Sequence, residues 1–276
     1  MLIRHFLFGS LLLAPLVSGS AHAESPTCTP VNFAEIQLAA VHQNASVASI
    51  LIAYPDVTYS DTTRTFTFEN GASIPFRTAT DRPPPDILKA PTVGDQFRYL
   101  YPLEFDLSQR RTPWNDPGRV RNEGFMRALY FGSKSEARKT LTRVTSSGDR
   151  ASFNVTRKRG VACQLQAVLT DIGTTDPQVF QNAGGSFNWR KISGTDRLSV
   201  HSYGAAVDLN TKLGGYWKWQ GAPVGKVGTY DNKIPQAVVE AFERYGFIWG
   251  GKWHHYDGMH FEYRPELIIY SRMKTE

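Results

Sequence analysis

Long apolar runs are missing from this sequence. None reaches the roughly 18–20 residues that a membrane span requires, so no membrane-spanning helix is expected. Internal repeats and low-complexity tracts are missing too, which argues against a repeat architecture. The formal net charge is +6, yet the basic residues form no compact stripe interleaved with aromatics, so nucleic acid is not expected as a partner. Solubility and long-range attraction to anionic polymers outside the cell account for that charge equally well. Cysteine is scarce: Cys28 and Cys163 allow one intramolecular bridge, and spacing along the chain leaves open whether their Cα atoms lie close enough.

What is present is ordinary for a globular protein with a real core: 276 residues, 41% hydrophobic and 20% charged. That length suits one large domain or two small ones. The N-terminus stands apart. Arg4 precedes a largely apolar run, Phe6 to Val17, and Ala21-His22-Ala23 ends the segment. A charged start, an apolar centre and an A-x-A site read as a secretory signal peptide over residues 1–23. The mature protein is then exported, periplasmic or secreted, in an oxidising compartment where Cys28 and Cys163 are free to pair. Arg4 is the one charged residue removed, which leaves +5.

Residues 24–92 read as an N-terminal extension packed on the rest. Thr63 to Phe68 alternates, Asn70-Gly71 is a strong hairpin turn, and Ala72 to Ile74 supplies a second strand. Pro83-Pro84-Pro85 and Pro91 mark an irregular connector. Residues 93–276 are more regular. Ser133 and Glu136 form a capping box that predicts a helix to about Val144, and Arg150 to Thr156 reads as a strand. Val161, Leu165, Val168, Leu169 and Ile172 share one face of a helix. Ile234, Ala237, Val238, Ala241, Phe242 and Tyr245 do so in a second, opened by Pro235 and ended by Gly246. Strand-like runs, Ala205 to Asn210 and Met259 to Tyr263, bracket that helix. The fold class expected is α+β, a small, mainly antiparallel sheet flanked by helices.

Four of the five histidines beyond the signal segment fall in two short motifs, Ser199 to Asp208 and His254 to His260. In the first, a strand through Asp208 puts Gly204, Ala206 and Asp208 on one face, with Ala205, Val207 and Leu209 opposite. One face is thus small, small, carboxylate, and His201 precedes it. In the second, His260 and Glu262 share a face, with Met259, Phe261 and Tyr263 opposite. If the two strands pair, His201, Asp208 and His260 converge. Two imidazoles and a carboxylate are a ligand set for catalytic zinc with a position left for water. Glu262 reads as an acceptor that orients an imidazole.

The pattern S-x-H-x-x-G-x-A-x-D, here Ser199, His201, Gly204, Ala206 and Asp208, is followed by D-x-x-H, here Asp257 and His260. The pair resembles the zinc peptidases of the Hedgehog/DD-peptidase fold: VanY-type D-alanyl-D-alanine carboxypeptidases and L-alanyl-D-glutamate endopeptidases. The likeness runs from roughly Asp116 to Tyr263 and is weakest before Ser133. It implies one Zn2+ per chain on His201, Asp208 and His260, with Asp257 as general base. It also implies substrate contacts from Ser199 and Tyr203, and an arginine that binds substrate and steadies the oxyanion. That arginine corresponds to Arg190, with Arg197 near enough to compete. The implied substrates are peptidoglycan peptides. Many carboxypeptidase members have Glu where Asp257 stands, so Asp leans toward the endopeptidase branch. His254 and His255 have Gly251 and Lys252 three residues before them, not a base, and are set aside as ligands, though both remain candidates to line the site. His42 is expected to be structural or exposed, and Tyr216, Trp217 and Trp219 to be buried aromatics rather than a glycan platform. The alternative function is a non-catalytic wall-binding module on the same fold. Members that lose catalysis usually lose a ligand or the base, and this chain keeps both.

Overall fold

The computed structural model describes residues 28–146, 151–173, 175–227, 230 and 232–276. The expected signal peptide, residues 1–23, lies outside them. Among the described residues no helix is long and apolar enough to cross a membrane.

The chain is α+β, built from small antiparallel sheets and several helices. Helix α1 (Ala45–Ala53) leads into a three-stranded sheet of β1 (Thr58–Ser60), β2 (Thr65–Thr67) and β3 (Ser73–Pro75), in that order. The expected hairpin is β2–β3, turning through Gly71 at φ 78°. Helix α2 (Pro84–Lys89) starts within the proline run, and α3 (Glu123–Leu129) follows a long irregular stretch. Asn122 caps α3, its Oδ1 accepting from Phe125 N at 2.8 Å, which satisfies one of the helix's unpaired N–H groups.

Ser133 caps α4 (Lys134–Thr140) through Glu136 N, as the capping box predicts. The helix does not run on to Val144, however. Leu141–Thr145 is strand β4, paired in register with β5 (Ser152–Thr156) from Leu141↔Thr156 to Thr145↔Ser152. Val144 is buried there, so cross-strand pairing and burial override the helical continuation. Helix α5 (Val161–Ile172) then lays Val161, Leu165, Val168, Leu169 and Ile172 into the core.

The sheet that matters for the site has the order β6 (Ala183–Gly185), β7 (Ala206–Asn210), β9 (His260–Tyr263), β8 (Phe247–Trp249), all antiparallel. Helix α6 (Gln236–Arg244) packs on β8; Val239 is buried where Ala237 was expected, and Ala237 is exposed. Helix α7 (Pro265–Thr275) follows β9 directly and packs against α1. One apolar core joins α1, the first sheet, α5, α6, the four-stranded sheet and α7. Cys28 and Cys163 are joined in a disulfide, their Cα atoms 5.6 Å apart, which ties the start of the described chain to α5.

Candidate metal centre and cleft

The pairing of β7 with β9 sets Asp208 directly opposite His260. Strand alternation then does what the spacing predicts: Ala206 lies opposite Glu262, and Asp208 and His260 face the same side. His201 arrives from a 3-10 turn, Val200–Tyr203, that ends at Gly204 with φ 66°. A side chain there would be strained, and its Cβ would come within 2.9 Å of Leu141 Cδ2 and Thr156 N. Glycine therefore lets the chain reverse tightly from the turn into β7 while packing on the neighbouring hairpin.

The three groups converge. His201 Nε2 and His260 Nδ1 are 3.1 Å apart, and they lie 3.2 and 3.0 Å from Asp208 Oδ1. The other nitrogen of each ring is already engaged. His201 Nδ1 lies 2.6 Å from Ser186 O, and His260 Nε2 lies 3.1 Å from Glu262 Oε2. Both acceptors take an N–H, so in the neutral rings the inward nitrogens carry the lone pairs, the tautomer a metal ligand needs. Three donors about 2.0–2.1 Å from a tetrahedral zinc would be about 3.3 Å apart. The residues fit the ion.

The electrostatics also call for a cation. Burial pushes against charge on His260, but the hydrogen bonds to Asp208 and Glu262 and the charges of Asp208 and Asp257 lift its pKa to about 10. Burial opposes ionisation of Asp208, but His201 and His260 hold its carboxyl far below the usual range. Glu262 is fully buried. Burial is overcome by Arg121, His260 and Arg264, which hold it to about 2. Arg121 Nη1 lies 3.1 Å from Glu262 Oε2, and Arg264 Nη1 lies 3.3 Å from Oε1.

His201, Asp208 and His260 line a cleft of about 250 Å³ that also holds Arg119, Arg121, Arg190, Ser199, Tyr216, Trp253 and Asp257. Asp257 is fixed by its backbone: its N donates to Gly250 O at 2.9 Å, its O accepts from His260 N at 3.1 Å, and it bridges to Tyr216. That tight approach needs Gly250, where a Cβ would fall 2.5 Å from Asp257 O. Burial raises the Asp257 carboxyl to about 6; Asp208 adds to the rise, against the pull of His260 and Arg119.

Of the residues singled out in the sequence, His201, Asp208, His260, Asp257, Arg190 and Ser199 line the cleft, and Glu262 stands behind His260. Arg190 is exposed, whereas Arg197 is partly buried, donates from Nη1 to Arg119 O at 3.0 Å and does not line the cleft. Tyr203 requires a correction. It is a core residue, 1% exposed, stacked on Tyr130 with its hydroxyl near Glu123, and is not among the residues that line the cleft. The last residue of the 3-10 turn, it packs into the core, whereas His201, two residues before it, lines the cleft.

His254 and His255 are buried and line no part of the cleft; His255 Nδ1 bonds Asp116 Oδ2 at 2.6 Å, and His254 Nδ1 lies 2.7 Å from Arg110 O. His42 is half-buried and pairs with Asp61 at 2.9 Å. Trp217 is buried as expected, but Tyr216 lines the cleft and Trp219 is 63% exposed. Arg119 and Arg121 escaped notice in the sequence, because no short pattern surrounds them and the contacts that bring them here span well over a hundred residues.

Residues 193–263 match the family described as D-alanyl-D-alanine carboxypeptidase. The matched segment contains both of the paired motifs and is shorter than the Asp116–Tyr263 likeness suggested. No curated protein and no solved structure matches the chain.

Proposed function

We propose that this chain is an exported zinc peptidase that hydrolyses a peptide bond in the stem peptides of bacterial peptidoglycan, on a domain of the Hedgehog/DD-peptidase type. The observation that carries the reading is the triangle of His201 Nε2, His260 Nδ1 and Asp208 Oδ1, 3.0–3.2 Å on a side, in a cleft that also holds Asp257. The family match over residues 193–263 supports it and favours removal of a terminal D-alanine. The signal-like residues 1–23 and the disulfide support export.

His201, Asp208 and His260 would hold one zinc ion, which would supply acidification of a water and polarisation of a carbonyl oxygen. Glu262 and Ser186 O keep the two rings in the ligating tautomer. Asp257 takes the proton of the attacking water and delivers it to the nitrogen as the C–N bond breaks. Arg190, exposed at the cleft and without an ion-pair partner among the described residues, faces the carbonyl oxygen as negative charge grows there. Losing one such donor costs on the order of 100-fold or more in rate. Ser199, at the wall of the same cleft, contacts the bound peptide.

The test is mass spectrometry of purified muropeptides incubated with the mature protein, with and without a chelator. The expected result is loss of one alanine residue, abolished by the chelator and restored by zinc. Fragments cut between L-alanine and D-glutamate assign the endopeptidase reaction instead. Muropeptides left intact by the zinc-loaded protein overturn the proposal.

A further inference from the structure

Arg119 is built into the cleft more rigidly than Arg190. Its Nε and Nη2 donate to His255 O at 2.9 and 2.5 Å, and its guanidinium carbon stands 4.7 Å from the centre of the Trp253 ring. The anchor is itself fixed, since Asp116 holds His255 through both backbone N and Nδ1. Trp253 in turn packs on His260, ring centroids 5.7 Å apart, so Arg119 is held one aromatic ring away from a candidate metal ligand. A guanidinium fixed along one edge keeps its remaining N–H groups directed. Those of Arg119 have no carboxylate within ion-pair distance among the described residues, and the side chain lines the cleft.

The neighbouring cations do not share this position. Arg121 is committed to Glu262 and Gly118 O. Arg197 lies behind Arg119, bonded to its carbonyl oxygen. Burial first, and then the charges of Arg121 and Arg119, push the Arg197 guanidinium down to about 10. One wall of the cleft therefore carries a fixed, unpaired cation backed by another, which favours an anion in front of it.

The substrate class supplies that anion. Both cuts considered above release a residue with a free α-carboxylate beside the scissile nitrogen. Terminal D-alanine has one because it ends the chain, and D-glutamate because its chain continues through the γ-carboxyl. Standard bond lengths put that carboxylate carbon about 2.5 Å from the nitrogen. A group that reads it must line the same cleft as the catalytic residues, as Arg119 does.

We infer that Arg119 is a specificity-determining residue that binds the α-carboxylate of the leaving amino acid, so the cleft cuts only before a residue whose α-carboxylate is free. The inference rests on the peptidase reading and extends it to what lies on the amine side of the bond. It makes the two candidate cuts variants of one recognition event.

The test compares two substrates, an N-acylated peptide ending in D-alanyl-D-alanine and its C-terminal amide, with the zinc-loaded wild type, Arg119→Gln and Arg119→Lys. The acid-to-amide ratio of kcat/KM is read, because it is independent of the fraction of each variant that folds. The wild type is expected to favour the acid by about 100-fold or more. Arg119→Gln should bring the ratio within a few-fold of one, and Arg119→Lys should fall between. An unchanged ratio in Arg119→Gln overturns the inference, whatever happens to absolute rates. The same comparison on L-alanyl-γ-D-glutamate and its α-amide covers the second cut.

If the wild type hydrolyses neither scaffold, the peptidase reading fails, and Arg119 is then judged by binding. Titration with D-alanine and D-alaninamide supports it if the wild type prefers the acid and Arg119→Gln does not. Equal binding of the two ligands by the wild type overturns it.

Discussion

Asp257 and His260 stand three residues apart, yet their loss should have different consequences. His260 Nδ1 is one corner of the triangle proposed to hold the metal, whereas Asp257 lines the cleft beside it. Asp257→Asn removes the proposed proton acceptor and keeps the three proposed ligands, so zinc content should stay near one per chain. Hydrolysis should fall by about 100-fold or more, the usual range for a lost general base. His260→Ala removes a proposed ligand and leaves Glu262 without its imidazole partner, so zinc should be lost on dialysis. Metal analysis beside a peptide-hydrolysis assay reads both. An Asn variant with wild-type turnover would remove Asp257 from its role, and full zinc occupancy in the Ala variant would remove His260. This much was legible because strand alternation is local: a period of two puts Asp208 and His260 on matching faces once the strands pair. Tyr203 was misread because a motif position says nothing about direction inside a 3-10 turn. Arg119 was invisible because its place depends on contacts with residues 253–255, far along the chain.

Elements show the same division between local and long-range causes. The β2–β3 hairpin, α5 and α6 were legible from turn residues and apolar spacing. Strands β6 and β8 are three residues each, too short for a period to register, and exist because β7 and β9 offer them edges. Helix α1 is apolar around much of its circumference, so no stripe distinguishes it, and β4 follows a capping box that promises helix instead. One device that joins elements was also hidden. Asp95 is fully buried, and its carboxylate accepts from Thr80 N at 2.7 Å, Thr92 N at 2.8 Å and Arg82 Nη2 at 3.3 Å. It thereby pins both ends of the proline-rich connector that carries α2.

Burial alone would raise the pKa of Asp95, but the donors of Thr80 and Thr92 outweigh it and hold the carboxyl below its ordinary value. A folded pKa below the unfolded one stabilises above the unfolded value, near 3.9, and that stability is lost as pH falls through the folded value. Asp95→Asn should therefore cost about 2 kcal/mol at neutral pH, the scale of hydrogen bonds to a charged group. The difference from wild type should shrink below about pH 4. Urea unfolding at pH 7 and near pH 3 checks this, and an equal gap at both would show that the charge on Asp95 is not the cause.

At the scale of the whole molecule, a buried ladder of charge runs from the candidate metal centre to the far side of the core. His260 bonds Glu262, Glu262 pairs with Arg264, and Arg264 Nε donates to Glu266 Oε1 at 2.5 Å. Tyr54, at the C-terminal end of α1, donates to Glu266 Oε2 at 2.6 Å. The start of the described chain is bound into the same body. Gln164 of α5 clasps the backbone of Val31 at 2.8 and 2.7 Å, and Arg272 of α7 donates to Phe33 O and Ile36 O. We propose that residues 24–92 unfold together with residues 93–276 rather than apart from them, since α1 and the first sheet lie in the one core.

The disulfide reinforces that union. Cys28 and Cys163 are 135 residues apart in sequence, a loop long enough that closing it removes about 5 kcal/mol of unfolded-chain entropy in the simplest account and about 2–4 kcal/mol in typical measurements. Neither cysteine lines the cleft, so the bond should matter for stability and not for chemistry. Replacing both with serine should lower stability by about 2–4 kcal/mol in urea unfolding while kcat/KM below the transition stays within about twofold. Both proteins should unfold in one transition, coincident by fluorescence and circular dichroism. Unchanged stability in the double variant would show that the bond holds nothing the packing of residues 28–36 does not already hold. Two separated transitions in the wild type would show that the N-terminal segment is a unit of its own.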